Sequence, residues 1–158
     1  MKPNILAYLA GAIDSDGTIG IKRSTYAMRV IQDSGAATFS ERVALRQVTS
    51  DITTLLRETF GGSIYMTKPS TARGRPLYSW AVTDLKAVEC LVALMPFLRV
   101  KRQQALNCVA LRKIKIKSKK AKVACGRGHV GAAKRPQILT DAMESLYANA
   151  KRLNAVGV

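Results

Sequence analysis

Asp14 and Asp16 close an apolar run packed with small residues, Leu9-Ala10-Gly11-Ala12-Ile13-Asp14-Ser15-Asp16-Gly17, and of all the groups in this chain they are the best placed for chemistry. Ala7 and Gly11 lie four apart, on one face if the run is helical, and small residues at that spacing let two helices approach closely. The pattern brings two backbones together and sets a carboxylate at the foot of the seam. Carboxylate oxygens suit a hard cation such as Mg²⁺, which usually takes one or two of them and completes its shell with substrate phosphates and water. Other constellations are weaker. Cys125-Gly126-Arg127-Gly128-His129 offers two ligands without the second pair that tetrahedral zinc needs. The lone His129 is a poor general base, and no Walker A signature, Ser-His-Asp order or dinucleotide fingerprint occurs.

Residues 9–17 resemble the motif that names the LAGLIDADG homing endonucleases, matching it at seven of nine positions; Ala12 and Ser15 depart from it. Residues 95–105, Met95-Pro96-Phe97-Leu98-Arg99-Val100-Lys101-Arg102-Gln103-Gln104-Ala105, are similar to the segment that leads into the last core helix of that family. The resemblance implies a site-specific, metal-dependent DNA double-strand nuclease that leaves short 3′ overhangs. Asp16 would be catalytic and, with Ser15, would hold Mg²⁺, with Mn²⁺ or Ca²⁺ able to substitute for binding. Lys101 would stabilise charge on the pentacovalent phosphate or hold a water network, and Gln47 would orient water or, equally, read a base. Relatives with two motif copies act as pseudo-symmetric monomers. A single copy in 158 residues therefore implies a homodimer on a palindromic or near-palindromic target. The motif helices would meet through Ala7, Ala10, Gly11 and Asp14. An RNA-binding intron maturase and a catalytically inactive DNA-binding module on the same fold are the alternatives.

Composition points to the same partner. The chain carries 26 Lys plus Arg against 10 Asp plus Glu, a formal charge of +16, where small domains typically carry a net charge of about 2–8. Acids are too few to pair the bases, so many bases face solvent or a polyanion, and phosphate neutralisation with counterion release makes duplex DNA the leading partner. No amphipathic stretch sets the bases opposite a broad apolar face, which argues against a membrane surface. No run approaches the ~20 apolar residues of a bilayer span. Three cysteines at wide spacings, Cys90, Cys108 and Cys125, read as reduced and unpaired, hence an intracellular protein of cytoplasm, nucleoid or organelle matrix. No small-molecule cofactor is implied.

The elements that must position these groups follow from periodicity. Asn4 is an expected N-cap for a helix over residues 5–13, and Gly17 releases the chain into an alternating strand with Ile19 and Ile21 inward. Asp33-Ser34-Gly35 is a turn signal. Residues 39–47 alternate again, with Val43 and Leu45 on one face and Arg42, Ala44 and Arg46 on the other. Thr49 or Ser50 caps an expected helix over 51–60, striped by Ile52, Leu55, Leu56 and Phe60 and ended by Gly61-Gly62. Strands over 63–67 and 77–83 flank a flexible basic loop. A helical pattern over 84–98 breaks at Pro96, and another helix follows over 99–114.

The order is αββαββα, an α+β layer with helices on one face of an antiparallel sheet, and the resemblance implies that this sheet sits as a saddle on DNA. A twisted ribbon fits the major groove. The DNA-binding residues expected on or beside the open face are Lys22, Ser24, Ser40, Arg42, Arg46, Tyr65, Thr67, Lys68, Arg73 and Arg75, with Ser63 in the same phase. Three regions result: a core over 1–114, a basic flexible loop over 115–135, and a C-terminal helix over 136–158 packed on the core. The loop is rich in lysine, arginine and glycine and carries no acid. Its Lys117, Lys119 and Lys120 are expected to order along the DNA backbone. In the last helix Ile138, Leu139, Met143, Leu146 and Leu153 are the expected core residues.

Overall fold

A computed structural model describes residues 3–24, 37–69, 74–124 and 136–155. The first helix, α1 (Pro3–Asp16), starts on a proline, whose missing N–H costs nothing in a first turn. Asn4 therefore lies inside the helix rather than capping it. Leu9, Ala10 and Ile13 are its buried residues, one apolar stripe turned to the core. It runs directly into β1 (Gly17–Ser24), followed by β2 (Thr38–Gln47). Then come α2 (Asp51–Phe60), β3 (Ser63–Thr67), β4 (Leu77–Thr83), α3 (Asp84–Leu94), α4 (Arg102–Ala124) and α5 (Gln137–Ala155).

The four strands form one antiparallel sheet in the order β1-β2-β4-β3. Alternation sorts its residues as expected. Ile19, Val43, Leu45, Trp80 and Val82 are buried against the helices, and Thr18, Lys22, Arg46, Tyr65 and Thr67 are exposed on the open face. In register, Gly20 faces Arg42, Lys22 faces Ser40, Arg46 faces Ser79 and Tyr65 faces Ser79 from the other side. The α+β architecture with the αββαββα core is therefore present.

Local ends differ in detail from the expectation. Ser50 precedes α2 without a side-chain cap; its carbonyl instead accepts hydrogen bonds from the Thr54 amide and the Thr53 hydroxyl, each at 2.8 Å. Gly61 ends α2 at φ 73°, a left-handed value that suits glycine, and its carbonyl accepts a hydrogen bond from the indole of buried Trp80 at 2.8 Å. At Gly62 a Cβ would lie 2.6 Å from the Ala81 carbonyl.

Two expectations are corrected. The basic segment expected to leave the fold at residue 115 instead continues as helix to Ala124. Residues 115–124 contain neither glycine nor proline, and lysine and alanine are good helix formers. Like-charge repulsion is relieved where the helix meets the sheet, because Lys115 Nζ lies 2.9 Å from Glu41 and 2.8 Å from Asp84. Residues 125–135 lie outside the described residues, as do the 33–35 turn signal and Arg73. In α5, Ile138 is 76% exposed rather than core, while Met143 and Ala150 are buried and Leu146 packs partly buried against them. The helix is otherwise joined to α4 by polar bonds: buried Asn107 donates to the Leu146 carbonyl at 2.8 Å and accepts from Asn149 at 3.0 Å.

Glu41 is the residue that the alternation did not anticipate. It shares the inward phase of β2 and is fully buried, held by Arg112 at 2.6 Å and Lys115 at 2.9 Å, with Asp84 completing a four-charge network. Asp84 itself has a left-handed φ of 56°, which lets β4 turn into α3 without a linking residue. A buried carboxylate is tolerated only while it is paired. Replacing Arg112 with Ala leaves Lys115 alone to compensate Glu41. The expected cost is about 3 kcal/mol, the low end for breaking a buried pair, read as a lowered midpoint in urea denaturation. An unchanged midpoint would mean that Arg112 contributes nothing to holding Glu41.

Candidate active site

The end of α1 and the turn entering α4 cap one another. A helix leaves its last carbonyls without internal partners. Here the Lys101 ammonium donates to three of them: Ile13 at 3.0 Å, Asp14 at 2.7 Å and Ser15 at 3.2 Å. A cation at a helix C-terminus also meets the negative end of the macrodipole. In return, the Asp14 carboxylate accepts backbone N–H bonds from Arg99 at 2.6 Å, Val100 at 3.2 Å and Lys101 at 2.9 Å, immediately before α4 starts. Burial from water pulls the Lys101 pKa below the ordinary lysine range, and the charges of Asp14 and Asp16 only partly offset it.

This arrangement separates the two motif acids. Asp14 spends both oxygens on backbone amides, whereas Asp16 is exposed at the tip of α1 and receives one hydrogen bond, from Gln47 Nε2 to Oδ2 at 2.8 Å. Gln47 is the last residue of β2 and reaches Asp16, which directly precedes the neighbouring strand β1. Asp16, Gln47 and Lys101, expected to act together, are thus gathered at one place. Ser15 is adjacent, but its hydroxyl donates back to the Ala12 carbonyl of its own helix at 3.2 Å. Gly17 makes the junction possible, since a Cβ there would lie 2.7 Å from both Cα and the carbonyl oxygen of Ile13.

Three clefts surround the site, all lined by Thr18, whose role had no signal beyond its outward phase. One of about 290 Å³ holds Asp16, Arg42 and Arg46. A second of about 420 Å³ holds Asp14, Ser15, Val100, Lys101 and Asn154. The third lies farther along β1, against α5. Of the expected open-face residues, Lys22, Arg46, Tyr65, Thr67, Lys68 and Arg75 are exposed, and Ser24, Ser40 and Arg42 are half-buried. Lys117 and Lys119 are exposed on the helical extension; the side chain of Lys120 lies outside the described residues.

On the opposite side of α1, Ala7 and Gly11 are exposed, and a Cβ on Gly11 would meet nothing within 4 Å. Ala10, expected with them at the seam, is instead fully buried within the protomer, because it lies on the core stripe with Leu9 and Ile13. Cys90 and Cys108 are structural: burial pushes both thiols up to about 12, with Glu41 adding to the shift at Cys108. Among the described residues no helix is long and apolar enough to cross a membrane. Replacing Asp14 with Ala removes the acceptor of three amides. It should cost about 1–2 kcal/mol, the magnitude of losing a helix cap, and release the turn carrying Lys101. A thermal melt unchanged from the parent would show that the cap carries no weight.

No protein-family model and no curated protein sequence matches the chain. Solved structures do. It is similar to the archaeal intron-encoded homing endonuclease I-Vdi141I complexed with DNA, at 14% identity and a TM-score of 0.65, over 94% of this chain and 82% of that one. The homing endonuclease I-CvuI, in complex with the I-CreI target, superposes at 18% identity and a TM-score of 0.55 over 92% and 94%. The meganuclease I-SmaMI bound to DNA matches at 14% identity and a TM-score of 0.63, with this chain spanning 94% of its own length but 44% of that protein. With a four-stranded antiparallel sheet and five helices among the described residues, the chain has the LAGLIDADG homing endonuclease fold.

Proposed function

We propose that the chain is a site-specific homing endonuclease that works as a homodimer on a long, near-palindromic DNA duplex. It hydrolyses both strands with a divalent metal to leave short 3′ overhangs. The observation that carries this reading is Asp16, exposed at the end of the motif helix, oriented by Gln47, and set beside a cation whose own bonds anchor the helix end. The open sheet face supplies Lys22, Arg42 and Arg46 for phosphates and bases. A net charge of +16 supports a polyanionic partner.

The donor set fits magnesium. Asp14 is consumed by backbone amides, so Asp16 is the carboxylate each protomer has to offer. Among the described residues no cluster of three or more acidic, histidine or cysteine groups could cage an ion alone. Mg²⁺ needs no such cage, since phosphate oxygens and water complete its shell. Asp16 would hold it, with the same residue of a second copy; Mn²⁺ or Ca²⁺ would substitute for binding. Bound there, the metal supplies Lewis-acid stabilisation of the phosphoryl oxygen and an acidified water. Gln47 fixes the Asp16 carboxylate and presents a neutral amide toward water. Lys101 holds positive charge beside the reacting phosphate and keeps the motif helix end in place.

The exposed stripe of Ala7 and Gly11 supports the dimer, because it is the face on which a second backbone can approach. A chain spanning under half of I-SmaMI is also the size expected of one half of a two-fold assembly.

Selecting the cleaved sequence from a randomised duplex library in Mg²⁺ tests the activity and identifies the target. Asp16→Asn should abolish cleavage while leaving duplex affinity nearly intact. Gln47→Ala, which removes the bond orienting that carboxylate, should lower cleavage by about 10- to 100-fold. Undiminished cleavage by Asp16→Asn would remove Asp16 from the mechanism. Gly11→Leu should leave the protomer folded, since the site has open space, but separate the subunits and abolish specific binding. Light scattering that finds a monomeric parent protein, with and without DNA, would overturn the dimer.

A further inference from the structure

The last turns of α5 do more than cover the core. They close over the edge of β1 and reach the open sheet face. Asn154 Nδ2 donates to the Ile19 carbonyl at 3.2 Å, and near the other end of the strand Arg23 pairs with Glu144 at 3.0 Å. Gly20 permits the approach, because a Cβ there would lie 3.2 Å from the Asn154 amide nitrogen.

Between this helix end and the strand is a cleft of about 450 Å³, where Lys22, Arg42, Lys151 and Asn154 stand around a largely apolar lining that includes Ile21 and Ala150. It holds three cationic side chains and no acid. Among the described residues no carboxylate lies within ion-pair distance of Lys22, Arg42 or Lys151. The Lys151 ammonium sits 5.9 Å from the centre of the Tyr147 ring, and that ring packs against buried Phe39. It is therefore steered by an aromatic face without being neutralised. Three unpaired cations around an open concave surface favour an anion there.

The cleft is also continuous with the candidate active site. Arg42 lines both this cleft and the one holding Asp16, while Asn154 lines both this cleft and the one holding Lys101. We infer that the cleft between β1 and α5 binds a phosphodiester group of the nucleic-acid backbone, with Lys151 and Asn154 as DNA contacts contributed by the C-terminal helix. That group lies on the same path as the phosphate presented to Asp16, so the helix holds the strand in register with the site. The inference rests on the DNA-binding reading above and adds to it a helix otherwise assigned to packing alone.

The test is the salt dependence of affinity for a random-sequence duplex, measured with the full chain. Each phosphate contact adds about 0.9 to the slope of log affinity against log salt. Lys151→Gln should flatten the slope by about 0.9 per bound protomer and weaken binding to all sequences alike. Lys151→Arg should restore the slope. Asn154→Ala should weaken binding with the slope unchanged, since a neutral contact releases no counterion. Were Lys22→Gln to flatten the slope while Lys151→Gln left slope and affinity as they were, α5 would lie outside the interface and this inference alone would fall. A parent protein with no salt-dependent duplex binding would overturn the functional reading itself. Lys151 resonances that shift with inorganic phosphate but not with duplex would assign the cleft to a free anion and overturn the backbone assignment.

Discussion

Everything at the candidate site depends on the reciprocal capping of α1 and α4. One helix ends where the other begins, and each end carries the backbone groups the other needs. The Asp14 carboxylate satisfies amides before α4, and the Lys101 ammonium satisfies carbonyls at the end of α1. The two residues are 87 positions apart, so the contact also joins the first helix to the last part of the core. Without it, the tip of α1 would be an unsatisfied helix end at the surface, and Asp16 would be on a frayed turn. The exposed acid is held through its half-buried neighbour.

The same economy governs charge elsewhere. The chain has few acids, and several are placed where they hold structure together. Asp14 caps α4, Glu41 is buried against Arg112 and Lys115, Asp84 joins that network from the start of α3, and Glu144 fixes α5 to the end of β1. Each of these bonds ends on a base or a backbone group at an element junction. The bases left over lie on the open sheet face and along the extension of α4, with little acid to oppose them. A strongly positive surface on a stable scaffold follows from this division, because four of the ten acids are held between elements.

The sheet supplies the second constraint. The middle of its helix-facing side is apolar apart from Glu41, so the open side is the one available to a partner, and the edge strand β1 connects three concave regions through Thr18. Because β1 follows α1 with no intervening loop, the geometry at Gly17 sets the angle between the site and the surface beside it. Closure of that edge by α5 then shapes the end of the surface where Lys22 and Arg42 lie.

The sequence by itself determined what depends on neighbours along the chain. The small-residue run ending in Asp14 and Asp16, the alternation of the four strands, the stripe of α2 and the meeting of Asp16, Gln47 and Lys101 at the end of α1 were all legible, the last through the motif resemblance. Tertiary structure decided what depends on residues far apart. Periodicity could not tell that Asp14 would give both oxygens to amides beyond Leu98, or that Lys101 would grip the motif helix by its carbonyls. It placed Ala10 at a seam, although its position beside Leu9 and Ile13 turns it into the core. It stopped α4 at residue 114 because a run of lysines looks unstable alone, whereas Glu41 and Asp84, from other elements, pair with Lys115 where that run begins. And it read α5 as packing, since nothing local to Lys151 or Asn154 reveals that β1 lies beside them. Backbone propensity and hydrophobic phase are short-range and visible in the order of residues; the partner of a charge or a helix end is chosen by the folded chain.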